Sequence, residues 1–187
     1  MRRPRARWIG YLGAATLIAG LAASPARAVE PYLVTVGLLG GIGGPLDADD
    51  PDPGTSHPAL ELQVGYITEP RTILVLRVGR LDFSSDDRLG DTLDPQLSYI
   101  TVAGEYRLYR NWYDSGLFLG LGNYRLSGQD AAGRDRHASS WGVIGGATAE
   151  FEIVSHVSLL TQLTGHYADV EGAQLFATVM AGVNVKF

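Results

Sequence analysis

The sequence predicts an all-β chain, folded as an eight-stranded antiparallel up-and-down transmembrane β-barrel. Three observations carry this. Residues Gln174 to Phe187 alternate strictly, with Leu175, Ala177, Val179, Ala181, Val183, Val185 and Phe187 on one face and Gln174, Phe176, Thr178, Met180, Gly182, Asn184 and Lys186 on the other. A period of two means a strand with unlike faces, and fourteen residues exceed the roughly 9–11 that a tilted strand needs to cross a bilayer. Segments of this kind are joined by connections that alternate between longer and short, the pattern of an up-and-down barrel. Finally, beyond residue 28 there is no stretch of helical period and no apolar run long enough for a spanning helix, so strands are the remaining way through a membrane.

Residues 1–28 stand apart from the rest. Arg2, Arg3, Arg5 and Arg7 form a basic start, Trp8 to Ala23 is mostly apolar, and Ala26-Arg27-Ala28 has the small-x-small form of a cleavage site. This is the pattern of a secretory signal peptide, and the apolar run is shorter than the roughly 17–25 residues of a membrane helix. Setting 28 of the 187 residues aside leaves 159, residues 29–187, one domain's worth. Five of the 15 basic residues and none of the 20 acidic ones lie in the signal, so the remainder carries 10 basic against 20 acidic side chains. A balance this acidic argues against nucleic acid and against a basic membrane-binding patch. The chain has no cysteine, which removes disulfides, thiol catalysis and Cys-held metals.

The eight segments follow in order. Tyr32–Gly43 comes first, then the Asp/Pro/Gly-dense loop Pro45–Pro58. Ala59–Thr68 sets Leu60, Leu62, Val64 and Tyr66 against Glu61, Gln63 and Gly65, and turns at Glu69-Pro70-Arg71 into Thr72–Phe83. There Leu74, Leu76 and Val78 oppose Val75, Arg77 and Gly79. A second acidic loop, Ser84–Asp94, leads to Gln96–Leu108, where Ile100, Val102 and Tyr106 oppose Thr101, Ala103, Glu105 and Arg107. The short connection Tyr109–Asp114 precedes Gly116–Leu126. The polar loop Ser127–His137 precedes Ser140–Glu152, and the turn Ile153–His156 leads into Val157–Tyr167. Ala168–Gly172 then reaches the last segment, which closes the ring against Tyr32–Gly43 and Val157–Tyr167. With the termini on the short-turn side, three tight turns share one end and four loops the other.

A soluble eight-stranded barrel also alternates, but it turns its polar face to water. Here the non-apolar faces hold Gly, Thr and Gln with few charges: Glu61, Arg77, Glu105, Arg107, Glu150 and Lys186. Sparse ions of both signs suit a narrow lumen filled by side chains, where ions must pair. We therefore expect Arg77 and Arg107 to pair with Glu61, Glu105 and Glu150 inside, the alternative being interfacial positions. Tyr32, Tyr66, Phe83, Tyr106, Trp112, Tyr113, Trp141, Phe151, Tyr167 and Phe187 lie near segment ends and suit two aromatic girdles. Glycines 116, 120, 122, 142, 145 and 146 are expected to relieve crowding in the lumen, while Gly40, Gly41, Gly43 and Gly44 lack the Lys-Ser/Thr of a phosphate loop and suit a bend at the rim.

With its signal ending in Ala26-Arg27-Ala28, its alternating segments and its closing Ala181-Gly182-Val183-Asn184-Val185-Lys186-Phe187, the chain resembles the small outer-membrane β-barrel proteins, the OmpX/OmpW-like and porin-like superfamily. The resemblance covers all of residues 29–187. It implies residence in the Gram-negative outer membrane, contact with its lipid, and recognition of the terminal aromatic, Phe187, by the outer-membrane assembly machinery. It leaves function open among structural barrels, surface-interaction proteins, narrow channels for small hydrophobic molecules and a few lipid-modifying enzymes. Lipid A deacylases in this group carry His-x-Ser near the last strand. Here His166-Tyr167-Ala168 has no hydroxyl at the nucleophile's position, and His156-Val157-Ser158 falls on the short-turn side. The acidic sets Asp47, Asp49, Asp50, Asp52 and Asp86, Asp87, Asp91, Asp94 lack the spaced calcium-loop pattern and read as solvated loops or loose divalent sites. No cofactor and no catalytic or metal site is expected, and the ligand is not legible. The reading is a non-enzymatic barrel with a structural or surface-interaction role; the alternatives are a narrow channel or binding barrel for a small hydrophobic molecule, a lipid A-modifying enzyme, and a soluble periplasmic lipocalin-like barrel.

Overall fold

Strand follows strand along the chain, each paired with the one before it. The computed structural model describes residues 33–46, 56–83, 88–89, 92–109, 112–170 and 173–187. The expected signal 1–28, Tyr32, the aspartates 47, 49, 50, 52, 86, 87 and 91, and Gly172 lie outside them. The strands are β1 Val34–Pro45, β2 His57–Glu69, β3 Thr72–Asp82, β4 Arg88–Leu89, β5 Thr92–Tyr109, β6 Asp114–Gln129, β7 Asp135–Val154, β8 Val157–Val170 and β9 Ala173–Lys186. All pairings are antiparallel; β9 pairs with β8 on one edge and with β1 on the other. The two-residue β4 touches only the start of β5, so β3 and β5 pair directly and the eight long strands form a closed up-and-down barrel. Closure pairs each of the eight long strands on both sides across the apolar band, which is what a backbone surrounded by lipid requires.

The stagger of that closure can be read from the register. Paired positions run from Val36 through Val64, Leu76, Val102, Leu121, Val143 and Tyr167 to Leu175, whose carbonyl accepts from Leu46 N, ten residues beyond the starting point. A stagger of this size over eight strands corresponds to a strand tilt of about 35–45°.

The pleat sorts the two faces. Leu60, Leu62, Tyr66, Leu74, Leu76, Val78, Ile100, Val102, Leu117, Leu119, Leu121, Leu163, Val179 and Val183 are exposed on the outside. The in-out pattern of β2 and β3 is nearly perfect over their whole length. Trp141 and Tyr167 face out near the loop end, and Tyr66, Tyr106 and Phe151 near the turn end. Val157 to Tyr167 spans roughly 23–27 Å along the barrel axis at the usual rise and tilt, the height of the apolar band in transmembrane barrels. At the turn end Trp112, Tyr113 and Phe151 stack together, with ring centroids 4.5–5.8 Å apart.

Four details depart from the sequence reading. Phe83 is not part of a girdle: it turns inward, its ring 4.7 Å from that of His57 and packed on the buried apolar cluster. Gly145 lies on the outward face, because it alternates with the inward Gly146, and meets only Leu119 and the Phe118 carbonyl outside. The polar stretch expected as a loop at 127–137 is mostly ladder, paired out to Gln129 and Asp135. Backbone hydrogen bonds need no apolar side chains once the hairpin rises above the band. For the same reason β8 runs to Val170 and β9 begins at Ala173, so the connection expected at 168–172 shrinks to two residues.

Candidate functional site

The inward face of β5 is set by its odd-numbered residues, so Tyr99, Thr101, Glu105 and Arg107 all enter the lumen. The same parity on β2 and β3 sends in Glu61, Gln63 and Arg77; on β7, β8 and β9 the even positions send in Thr148, Glu150, Gln162, Thr164, His166, Thr178 and Asn184. Each of these side chains is buried. Glycine makes the room: a side chain at Gly79 would fall on the Tyr99 ring, and one at Gly116 would fall on Thr148 and Glu105.

Six ions form a ladder along the barrel axis, and their signs alternate. Lys186 Nζ lies 3.1 Å from Glu150 Oε1, and Arg107 Nη1 lies 2.8 Å from Glu150 Oε2. Arg107 Nε donates to Glu105 Oε1 at 3.3 Å, and Arg77 Nη2 donates to Glu105 Oε2 at 3.2 Å. Arg77 Nε stands 3.6 Å from Glu61 Oε1, at the ladder's upper end. Three cations face three anions, so the formal charge of the ladder is zero. This compensation matters because an unpaired ion in such a lumen is strongly destabilising, whereas a paired one is close to neutral.

Neutral groups add hydrogen bonds to the carboxylates. Tyr99 OH donates to Glu61 Oε2 at 2.7 Å, and Gln162 Nε2 donates to Glu61 Oε1 at 3.0 Å. Thr148 Oγ1 donates to Glu105 at 3.2 Å, and Asn184 Nδ2 donates to Glu150 at 3.2 Å. The Arg77 guanidinium also stacks 4.0 Å from the centroid of the Phe118 ring, a cation–π contact across the barrel.

Toward the loop end the lumen changes character. Ala59, Leu81, Leu97, Tyr124, Leu126, Ala168, Val170 and Phe176 form one buried apolar cluster. His166 sits where the two zones meet, 1% exposed; its Nδ1 is 3.2 Å from Tyr124 OH, its Nε2 is 3.5 Å from Thr178 Oγ1, and its ring is 4.8 Å from that of Tyr99. Its nearest hydroxyl partners are a phenol and a threonine inside a packed core, not a serine at the membrane surface. His156 is exposed in the turn before β8, where its Nδ1 meets Ser155 Oγ at 3.0 Å, while Ser158 is buried in the lumen.

All five ions singled out in the sequence are thus inside the barrel and in one connected set, with Lys186 as a sixth. What the sequence reading missed are the neutral members, Tyr99, Thr148, Gln162 and Asn184, and the His166–Tyr124 contact. Their signal was parity: each shares its strand face with a charged or polar inward residue. Phe187 lies at the turn-end rim, 65% exposed; its N donates to Val34 O at 2.8 Å and its O accepts from Leu33 N at 2.9 Å. Of the acidic loop residues only Asp94 is described. It is exposed and takes a φ of 48° at a bulge of β5. No group of acidic and histidine side chains that could hold a metal occurs among the described residues.

No protein-family model and no curated protein matches the chain. Solved structures do. Neisserial surface protein A is 16% identical with a TM-score of 0.59, covering 86% of this chain and 100% of its own. Ail, the attachment invasion locus protein of Yersinia pestis, is 12% identical with a TM-score of 0.56, covering 83% of this chain and 97% of its own. A major outer membrane protein of Thermus thermophilus is 12% identical with a TM-score of 0.60, covering 84% and 100%. At such identities the likeness is one of fold: the chain has the fold of small outer-membrane β-barrels over nearly its whole described length.

Proposed function

We propose that this chain is a non-enzymatic barrel of the outer membrane with a structural or surface-interaction role. The observation that carries the reading is the lumen. Contacts cross it at several levels, from Gln162 of β8 to Glu61 of β2, from Arg77 of β3 to Phe118 of β6, and from Tyr99 of β5 to His166 of β8. A barrel tied across its own interior acts as a rigid pin through the membrane that presents its loops. A conduit for a small hydrophobic molecule would need a continuous passage, and these ties stand in its way.

On this reading residues 1–28 direct export, lipid surrounds the apolar band, and the assembly machinery recognises the terminal strand through Phe187. The surface names of the structural neighbours, among them an attachment invasion protein, agree with the role but belong to those proteins. The test joins location and conductance. The protein should sediment with the outer membrane, change gel mobility on boiling, and give no steady conductance in planar bilayers. Recovery from the soluble periplasm would end the membrane reading. Steady conductance would move the function to transport. Replacing Phe187 by Ala should lower the folded fraction in cells without changing refolding into lipid vesicles; an equal loss in both would remove its role as a recognition signal.

A further inference from the structure

Among the described residues the outside of the band is apolar apart from Thr161, whose hydroxyl donates to Ala149 O, and one polar cluster near the loop end. There Arg80 of β3, Ser98 of β5 and Arg125 of β6 lie side by side, Arg80 paired with Ser98 and Ser98 with Arg125. Their parity is opposite to that of the lumen residues, so all three point outward. The Arg80 and Arg125 backbones are two strand spacings apart, about 10 Å, within reach of one anion for two long side chains. Asn123, one outward position below Arg125, lies opposite Trp141, so the group sits at the level of the upper aromatic girdle.

Neither guanidinium is fully engaged by the protein. Arg80 is largely exposed, with its Nε 3.2 Å from Asp82 Oδ2, and Gln96 Nε2 draws on that carboxylate's other oxygen at 2.5 Å. Arg125 is exposed and has no ion-pair partner among the described residues. Below the polar group an outer groove of about 620 Å³ continues between Leu62, Val78 and Ile100, all facing the band. Two cations, one of them shared with the Asp82 carboxylate, and two neutral donors at headgroup level above an apolar groove match a molecule with an anionic head and an acyl tail. Arginine pairs with phosphate by paired charge-assisted hydrogen bonds, and the chain's overall acidity makes a local excess of cations stand out.

We infer that Arg80 and Arg125, with Ser98 and Asn123 beside them, bind the phosphate of a lipid headgroup in the leaflet on the loop side. The lipid's chain lies in the groove beneath. The site is independent of the lumen and holds whichever role the loops play.

The experiment uses the folded protein in nanodiscs of phosphatidylcholine doped with phosphatidic acid, with lipid retained after transfer to detergent counted by native mass spectrometry. The doubly substituted Arg80→Gln/Arg125→Gln protein should retain phosphatidic acid about tenfold less than the native chain, the weight of roughly one charge-assisted hydrogen bond. Phosphatidylcholine retention should not change. The Arg80→Lys/Arg125→Lys variant should recover part of the loss, and Arg71→Gln, at the opposite end, should behave as native. Equal retention by the Gln variant, or an equal loss in Arg71→Gln, would overturn the site. So would displacement of the lipid by excess inorganic phosphate, which would make the ligand a soluble anion. All the substituted side chains are at least partly exposed, and an unchanged boiling shift on gels confirms that the variants fold.

Discussion

The Arg77 guanidinium is 3.2 Å from the Glu105 carboxylate, both buried in the lumen, and it is the last cation of a ladder that ends at Glu61. Its position beneath Glu61 means that the ladder can be shortened from the top by a neutral step. Removing Arg77 alone strands an anion.

Arg77→Met should therefore destabilise the barrel by about 3–5 kcal/mol, the usual weight of an uncompensated buried charge. Arg77→Met/Glu61→Gln should recover much of that, since Lys186, Glu150, Arg107 and Glu105 remain two against two. Urea unfolding in lipid vesicles reads both. A double variant no better than the single one would show that the ions act separately.

Gly79→Ala should cost about 1–3 kcal/mol, because the added methyl falls on the Tyr99 ring and overpacks the lumen. Combined with Tyr99→Leu the two losses should not add, since the clash disappears with the ring. Additive losses in the same unfolding assay would place the strain elsewhere.

Arginine scanning should locate the bilayer. Leu163, exposed halfway up the band, should cost about 2–4 kcal/mol as Leu163→Arg, whereas Leu175→Arg, near the loop-end girdle, should cost about 0–1 kcal/mol. Equal losses at the two depths would contradict a membrane centred on this band.

The hairpin at 130–134 should respond to acid. Asp130 Oδ1 accepts from the backbone N of Arg134 at 3.0 Å and of Ala132 at 2.8 Å, while Arg134 Nε donates to Oδ2 at 2.8 Å. These bonds, the backbone bond from Arg134 first, hold the Asp130 carboxyl below its ordinary range. A depressed folded value means the turn's stability is present above the ordinary carboxylate value and fades as pH falls through the depressed one. Amide exchange at Ala132 and Arg134, corrected for intrinsic rates, should lose protection in that acid range in the native chain. Asp130→Asn should show weaker protection with no acid step; an acid step that survives in Asp130→Asn would assign it to another group.

Much of the barrel was legible in advance. The alternation in β2, β3 and β9 named the outward and inward residues, and the inward set contained every ion of the ladder. The misreadings cluster above the band. There Ser127 to Gln129 and Asp135 to Ser139 lack the apolar alternation, yet the backbone ladder continues. Phe83 was misplaced for a related reason: an aromatic near a strand end can face either way, and only contact with His57 decides.

Sequence alone determined the side of the wall for most strand residues, because the pleat is a local property with a period of two. Which inward residues meet was decided only by closure of the ring. The ten-residue stagger brings Gln162 onto Glu61 across 101 positions of chain and sets Arg77 over Phe118. It also lines up Arg80 and Arg125 on the outer wall, where no local pattern joins them. Parity belongs to the strand, but partners belong to the register, and the register exists only once all eight strands are paired.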